Sequence, residues 1–184
     1  MNTLLLVFLS IVLVGLIIAS YVIVTFGITA VFGAPYVGTP AKWARELLSL
    51  SGLQPGETVL DIGSGNGAIL FVAMNEFKAK KGIGIEINPL LVFAARWRAR
   101  RQGLSKKLTF RRVNAFKTTL PKTDVLALYL LPKMMDKLRP KIVKELDPGT
   151  RIVSRGFQFP NVRHENVTVI KGQHLYRYRI EDLV

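Results

Sequence analysis

The chain has 184 residues, a formal net charge of +14 and no cysteine. This length accommodates one ordinary domain plus an appendage and excludes two full domains. The absence of cysteine excludes disulfides, thiolate chemistry and zinc–sulfur sites.

The N-terminal segment is apolar and uncharged. Residues 1–41 contain no Asp, Glu, Lys or Arg, and they include the run LLLVFLSIVLVGLIIASYVIVTFGITAVF. This run exceeds the roughly 20 apolar residues that cross a bilayer as a helix. A cleaved signal peptide is the alternative, but its apolar core spans about 7 to 15 residues behind a basic start. We therefore predict that residues 1–33 form a retained transmembrane anchor.

The charged residues indicate how this anchor is oriented. All 26 Lys and Arg and all 12 Asp and Glu residues follow the apolar run, with Lys42 and Arg45 close behind it. Because basic flanks stay on the cytoplasmic side, we predict a single-pass membrane protein whose domain is cytoplasmic. This basic surface would attract anionic lipid headgroups, with nucleic acid as the less favoured partner and solubility alone as the remaining interpretation.

Strands and helices alternate after a membrane-proximal loop and helix at residues 34–54. Residues 55–184 form the predicted main domain, whose strands are ETVLDI, GIGIEI, KLTFRRV, DVLALYL and TRIVS. The predicted helices between them are AILFVAMNEFKAK, PLLVFAARWRARRQG and KMMDKLRPKIVKEL. Two more strand-like runs, ENVTVIKG and HLYRYRIED, follow without a helix between them. This order predicts an α/β fold with a mostly parallel sheet and an antiparallel C-terminal edge.

A glycine-rich turn follows the first predicted strand and opens the first helix. Gly63, Gly65 and Gly67 satisfy the dinucleotide fingerprint together with Ala68, but that match alone is weak. Asp61, at the end of the strand, would repel a pyrophosphate and would favour a ligand that carries an ammonium group. S-adenosylmethionine carries an ammonium and a sulfonium and no phosphate. NAD binding and a purely structural turn are the alternatives.

A second carboxylate, Glu86, closes the second predicted strand, where it could accept both ribose hydroxyls. With this residue and the turn Asp61–Gly67, the sequence resembles the seven-stranded S-adenosylmethionine-dependent methyltransferases. The resemblance implies a Rossmann-like seven-stranded sheet and S-adenosylmethionine as cofactor. The cofactor-binding residues that it implies are Asp61, Gly63, Ser64, Gly65, Gly67, Glu86, Ile87, Asn88, Asn114 and Ala115.

Asn114 departs from the aspartate that is commoner after the third strand of this family. Its amide oxygen could accept a hydrogen bond from the adenine amine, or Asn114 could be an ordinary turn residue. No metal site is predicted, because His164 and His174 lie outside the motifs.

The segment after the fourth strand, which faces the transferred methyl group in this family, reads Tyr129-Leu130-Leu131-Pro132. Methyltransferases of adenine or glutamine amides carry an Asn or Asp before two prolines there, to hold a poor nucleophile. This chain has neither feature, so it suits a nucleophile that is potent once deprotonated, such as a lysine amine in an apolar channel. The channel would be lined by Tyr129, Leu130, Pro132, Tyr36 and Phe157; ordinary core positions are the alternative.

Five segments together resemble a narrower family: GAPYVGTP, DIGSGNG, GIEINPLLV, YLLPKMM and RGFQFP. They are similar to the membrane-anchored mitochondrial lysine methyltransferases that modify the adenine nucleotide translocase and the c-subunit of ATP synthase. The likeness implies methylation of a lysine on a membrane-embedded or membrane-associated protein. It also implies active-site roles for Pro35, Tyr36 and Thr39, although Gly38 replaces a proline often found there.

Three other functions remain open on the sequence alone. One is methylation of a lipid amine or quinone, because a membrane tether would serve a membrane-dissolved substrate equally well. Another is a non-catalytic S-adenosylmethionine-binding membrane module. RNA methylation ranks last, since the charge permits it but no recognition module accompanies the domain.

Overall fold

In this computed structural model, residues 3–32, 38–170 and 172–184 are described, without the side chains of residues 22 and 24–32. The chain divides into two compact units, Met1–Val37 and Gly38–Val184. Each unit has its own secondary structure.

The first unit contains one helix, α1, which spans Thr3–Phe32. Within it, Thr3–Tyr21 has the length and composition of a membrane-spanning helix, a property that a signal sequence near an N-terminus shares. The Ser10 hydroxyl donates a hydrogen bond to the carbonyl of Leu6 at 2.8 Å. Its polar group is therefore satisfied inside the helix, as an apolar environment requires.

The second unit is built on a seven-stranded sheet. Its strands are β1 Thr58–Ile62, β2 Lys81–Glu86, β3 Leu108–Arg112, β4 Val125–Leu128, β5 Arg151–Arg155, β6 Asn166–Ile170 and β7 Gln173–Arg179. They lie in the order β3-β2-β1-β4-β5-β7-β6. Strands β1 to β5 are parallel, whereas β7 is antiparallel to both β5 and β6. The predicted mostly parallel sheet with an antiparallel C-terminal edge is confirmed.

Helices cover both faces of this sheet. They are α2 Ala41–Ser51, α3 Ala68–Asn75, α4 Pro89–Arg101, α5 Pro132–Glu145 and a short 3₁₀ helix, Ile180–Leu183. On one face, α2, α3 and α4 bury residues such as Leu47 and Phe71 against Val59 of β1. On the other face, α5 buries Leu138 against Leu60 of the same strand. Successive residues of a strand point to opposite faces, so each strand contributes to both cores.

Two predicted elements have different ends in the structure. The helix expected over residues 68–80 ends at Asn75, because Lys78 has a φ of +57° and turns the chain back toward β2. The Lys78 ammonium donates a hydrogen bond to the carbonyl of Asn75 at 2.8 Å, which stabilises that end. The strand expected over residues 174–182 ends at Arg179, where the 3₁₀ helix begins.

Candidate functional site

The parallel strands β1, β2, β4 and β5 all end at one side of the sheet, called here the carboxyl edge. Asp61 of β1 pairs with Gly84 of β2 and with Ala127 of β4. The chain order reverses between β1 and β4, since β2 and β3 lie on one side of β1 and β4 and β5 on the other. Open α/β sheets bind ligands at such a switch point, at the carboxyl ends of the strands.

The glycine-rich turn lies at this switch point, and two of its glycines allow no side chain. Gly63 and Gly67 have φ values of +77° and +82°. A Cβ atom on Gly63 would lie 2.8 Å from Cδ2 of Leu130, and one on Gly67 would lie 2.6 Å from Cζ of Phe110. Both the backbone conformation and the close packing therefore require glycine.

Glu86, at the end of β2, fixes the turn. Its Oε2 accepts a hydrogen bond from the Gly65 amide at 3.0 Å, and its Oε1 accepts bonds from the Ile87 and Asn88 amides, both at 2.8 Å. Carboxylate oxygens have further lone pairs, so Glu86 can still accept hydrogen bonds from ribose hydroxyls. The sequence predicts that Glu86 contacts the ribose, but it does not indicate that Glu86 also holds the glycine turn in place.

Asp61 is the most strongly perturbed acid of the site. The residue is only 2% exposed. Burial, and secondarily the negative charge of Glu86, raise the pKa of the Asp61 carboxyl to about 8. An ammonium group beside it would favour the ionised form and would compensate for this burial.

Ser64 adds a second polar group in need of a partner. Its hydroxyl is buried and makes no hydrogen bond within the described part of the chain. A buried acid, a buried free hydroxyl and a glycine turn fit the amino-acid and ribose groups of S-adenosylmethionine. The described residues contain no group of three or more His, Asp or Glu side chains placed to hold a metal ion.

Two predicted cofactor-binding asparagines have local structural roles. Asn88 is the N-cap of α4, and its Oδ1 accepts hydrogen bonds from the amides of Leu90 and Leu91. Oδ1 of Asn114 accepts a hydrogen bond from the Phe116 amide at 2.9 Å, as a turn residue does. Ala115 follows it and packs against the core cluster that includes residues of α5. Ligand contacts of Ile87, Asn88, Asn114 and Ala115 remain predictions.

The predicted acceptor residues that the structure describes occupy four different positions. Tyr129 and Phe157 stack with ring centroids 6.4 Å apart at the carboxyl edge. Leu130 is buried against the glycine turn and belongs to the core, while Pro132 begins α5. Thr39 is half-buried just before α2. Tyr36, with its neighbour Pro35, lies outside the described residues.

One residue of the carboxyl edge was missed from the sequence. Arg155, the last residue of β5, is 7% exposed, and its guanidinium lies over the ring of Tyr129 at 4.6 Å from the centroid. Trp43 of α2 approaches the same guanidinium at 5.4 Å. Burial lowers the pKa of Arg155 from its ordinary value. In the sequence, RGFQFP is informative only as a family motif, and nothing in it indicates that its arginine is buried.

Comparison with known proteins places the chain in a family. Residues 61–166 match the ANTKMT methyltransferase domain, and this stretch is more than half of the chain. The chain belongs to the ANTKMT methyltransferase family. A protein-lysine N-methyltransferase of Saccharolobus islandicus (strain REY15A) is 34% identical over 124 residues, which are 67% of this chain and 77% of the relative.

A second relative of this ANTKMT-family chain comes from Homo sapiens. The human lysine N-methyltransferase of the ATP synthase c-subunit is 32% identical over 160 residues, covering 84% of this chain and 66% of the relative. The chain therefore spans just under two thirds of the length of the human protein. These matches confirm the predicted family.

A solved structure supports the fold and the cofactor. An RNA methyltransferase from Salinibacter ruber, crystallised with S-adenosyl-L-homocysteine, is 34% identical and superposes with a TM-score of 0.75, covering 78% of this chain and 94% of that chain. The ANTKMT-family chain is thus an S-adenosylmethionine-dependent methyltransferase with the predicted seven-stranded sheet.

Proposed function

We propose that the protein is a membrane-anchored protein-lysine N-methyltransferase that acts on a membrane-associated protein. The observation that carries the proposal is the segment after β4, which brings Tyr129, stacked on Phe157, to the carboxyl edge beside the glycine turn. Residues 129–132 contain no carboxylate or amide that would hold a weakly nucleophilic nitrogen. The lysine specificity in the names of the Saccharolobus and human relatives supports the same substrate class.

The residues of the site divide into a cofactor side and an acceptor side. Asp61, Glu86 and the glycine turn would hold S-adenosylmethionine, which supplies an electrophilic methyl group when bound. Tyr129 and Phe157 offer an apolar surface to the methylene groups of a lysine. Only a neutral amine has the lone pair that accepts a methyl group, whereas a lysine of pKa about 10.4 is almost fully protonated at pH 7. Desolvation against this aromatic surface would lower the pKa of the amine and release its proton to water.

The first unit supports action at a membrane. The long apolar α1 would anchor the chain in a bilayer, and the charge of +14 lies entirely after it. With the basic domain on the cytoplasmic side, anionic headgroups would draw it to the lipid surface. A tether confines the site to the layer in which a membrane-associated substrate is found, and so raises its effective concentration.

A labelling experiment tests the substrate class. Full-length protein in detergent is incubated with tritium-labelled S-adenosylmethionine and with membranes from cells that lack the protein. We expect label in one or a few protein bands, recovered after hydrolysis as methylated lysine. Label confined to the lipid extract would instead identify a lipid amine or quinone as acceptor. If no fraction were labelled, the protein would be a non-catalytic S-adenosylmethionine-binding module. The Asp61→Ala variant is the control for label that does not depend on the site.

RNA is the second candidate substrate, because the Salinibacter structure is described as an RNA methyltransferase and the domain is strongly basic. The same incubation with total RNA in place of membranes distinguishes the two. Label in RNA that survives protease digestion and disappears with nuclease would replace the lysine proposal.

A further inference from the structure

Arg155 is a buried cation that has no anionic partner among the residues that the structure describes. It is 7% exposed, and no other Arg or Lys is buried within the described residues. Its Nε and Nη1 atoms are buried and donate no hydrogen bond in that part of the chain. A guanidinium carries N–H donors that lose their water on burial, so an unpaired buried arginine is unfavourable unless a ligand supplies acceptors.

Two aromatic rings hold the Arg155 side chain in place. The guanidinium carbon lies 4.6 Å from the ring centroid of Tyr129 and 5.4 Å from that of Trp43. Rings attract a cation through their π faces, but they do not replace the hydrogen bonds that its N–H groups made in water. The two rings therefore hold the side chain in place, while its Nε and Nη1 groups lack hydrogen-bond acceptors among the described residues.

The register of the sheet places Arg155 on the same face as Asp61. Asp61 pairs with Ala127 of β4, which pairs with Val153 of β5. Side chains alternate along a strand, so Tyr129 and Arg155, two residues beyond Ala127 and Val153, point to that same face. Across the carboxyl edge the charged groups then follow the order Glu86 on β2, Asp61 on β1 and Arg155 on β5.

The order Glu86, Asp61, Arg155 along the carboxyl edge matches the order of the ribose, ammonium and carboxylate groups along the cofactor. A cofactor with its ribose at Glu86 and its ammonium at Asp61 would have the remaining end of its amino-acid group on the side of β4 and β5. That end is a carboxylate attached to the same carbon as the ammonium. A guanidinium is the side chain that binds carboxylates through paired, charge-assisted hydrogen bonds.

We propose that Arg155, held by Trp43 and Tyr129, binds the α-carboxylate of S-adenosylmethionine, so that the zwitterionic amino-acid group lies between Asp61 and Arg155. This inference rests on the assignment of the ammonium to Asp61 and does not depend on which substrate is methylated.

Two ligands that differ only in the carboxylate test the proposal. Calorimetric titration of the full-length protein in detergent compares S-adenosylhomocysteine with its decarboxylated analogue, which keeps the amine. We expect the wild type to prefer S-adenosylhomocysteine by about 10- to 100-fold, as for a charge-assisted hydrogen-bonded pair. Arg155→Met should abolish this preference by weakening only S-adenosylhomocysteine, and Arg155→Lys should restore part of it. Lys133→Met removes an exposed cation just after the start of α5 and should leave the preference unchanged.

Several outcomes would overturn the assignment. A wild type that binds both ligands equally would exclude a carboxylate contact of any kind, without reliance on a variant. Equal loss of both ligands in a folded Arg155→Met variant, with melting temperature and circular dichroism unchanged, would show a general role in shaping the site. If Arg155→Met bound S-adenosylhomocysteine as tightly as the wild type but had a raised KM for the methyl acceptor, Arg155 would contact the acceptor and not the cofactor. Failure to find a lysine substrate would leave the result of this titration intact.

Discussion

Asp61 couples cofactor binding to pH. Its carboxyl has a pKa of about 8 in the unliganded protein, so at pH 6 to 7 it is mostly protonated. A ligand ammonium binds the ionised form, which means that proton release accompanies binding below pH 8. We expect the affinity for S-adenosylhomocysteine to rise with pH, by up to about tenfold per unit between pH 6 and 8, and then to level off. Calorimetry in buffers of different ionisation heat measures both the affinity and the released proton.

The matched variant is Asp61→Asn, which keeps the shape of the side chain and removes its titration. The affinity of this variant should be low and independent of pH, whereas a flat profile in the wild type would exclude Asp61 as the ammonium partner.

The free energy of unfolding of the protein without ligand provides a separate check. Because the folded pKa lies above the ordinary value of 3.8, the folded state holds a proton that the unfolded chain has lost. Stability should therefore fall as pH rises from about 4 to 8 in the wild type, with less change in Asp61→Asn.

Two glycines with similar backbone conformations allow the cost of backbone strain to be separated from the cost of a side-chain clash. Gly67 and Gly56 have similar φ values, +82° and +88°, but only Gly67 has neighbours, with Phe110 atoms 2.6 and 2.7 Å from a built Cβ. Gly56→Ala should lose about 1–2 kcal/mol from the left-handed backbone alone. Gly67→Ala should lose a further 1–3 kcal/mol or so from overpacking, and cofactor binding with it. Urea unfolding measures the difference; equal losses would mean that Phe110 moves aside.

Site residues differed in how far sequence reasoning could find them. Asp61, Gly63 and Gly67 were predicted to lie together because a turn between a strand and a helix fixes their spacing, and Glu86 was predicted from its place at the end of the next strand. Their contacts with the cofactor stay predictions. Arg155 was not predicted, because its burial depends on Trp43 and Tyr129, which come from distant parts of the sequence. A charged residue at a strand end is ordinarily exposed, and nothing local distinguishes one that tertiary packing covers.

Among the elements, α4 depends on the residue that caps it. Asn88 accepts hydrogen bonds from the amides of Leu90 and Leu91, so it satisfies donors that the first turn leaves free. Asn88→Ala should cost about 0.5–2 kcal/mol of stability, measured by urea unfolding, and Asn88→Ser should recover most of it. Equal destabilisation in both variants would point to side-chain volume, not capping, as the contribution of this residue.

The type of every predicted element was easier to infer than its end. Period and length identified the strands of the sheet and the helices between them, since each run is bounded by turn residues. The end of α3 was predicted wrongly because EFKAK is compatible with a helix. The chain turns there through a positive φ at Lys78 instead of at a glycine. The 3₁₀ helix after β7 forms where Asp182 accepts a hydrogen bond from the Arg179 amide at 2.6 Å. That contact converts the end of the strand-like run into a turn.

At the scale of the whole molecule, we expect the two units to serve different needs: one binds the cofactor, and the other brings the enzyme to a membrane-embedded acceptor. The unit Gly38–Val184 contains the sheet, the glycine turn and all the described candidate site residues. The unit Met1–Val37 supplies the long apolar helix. Cofactor affinity should therefore be a property of the second unit, while the rate on a bilayer-embedded acceptor should depend on both.

Deleting residues 1–33 tests this separation. The shortened chain keeps Asp61, Glu86 and the residues that position them, so its affinity for S-adenosylhomocysteine should equal that of the full-length protein. Its rate on a soluble peptide containing the acceptor lysine should also be unchanged. On the same acceptor in proteoliposomes the rate should fall by about 10²- to 10⁴-fold, because the tether no longer raises the local concentration. A histidine tag at the new N-terminus, with nickel-chelating lipid in the vesicles, should restore most of that rate, since it replaces the tether without the sequence of α1. Equal rates with and without residues 1–33 on proteoliposomes would contradict an anchoring role, and loss of rate on the soluble peptide would mean that the segment contributes to the site itself.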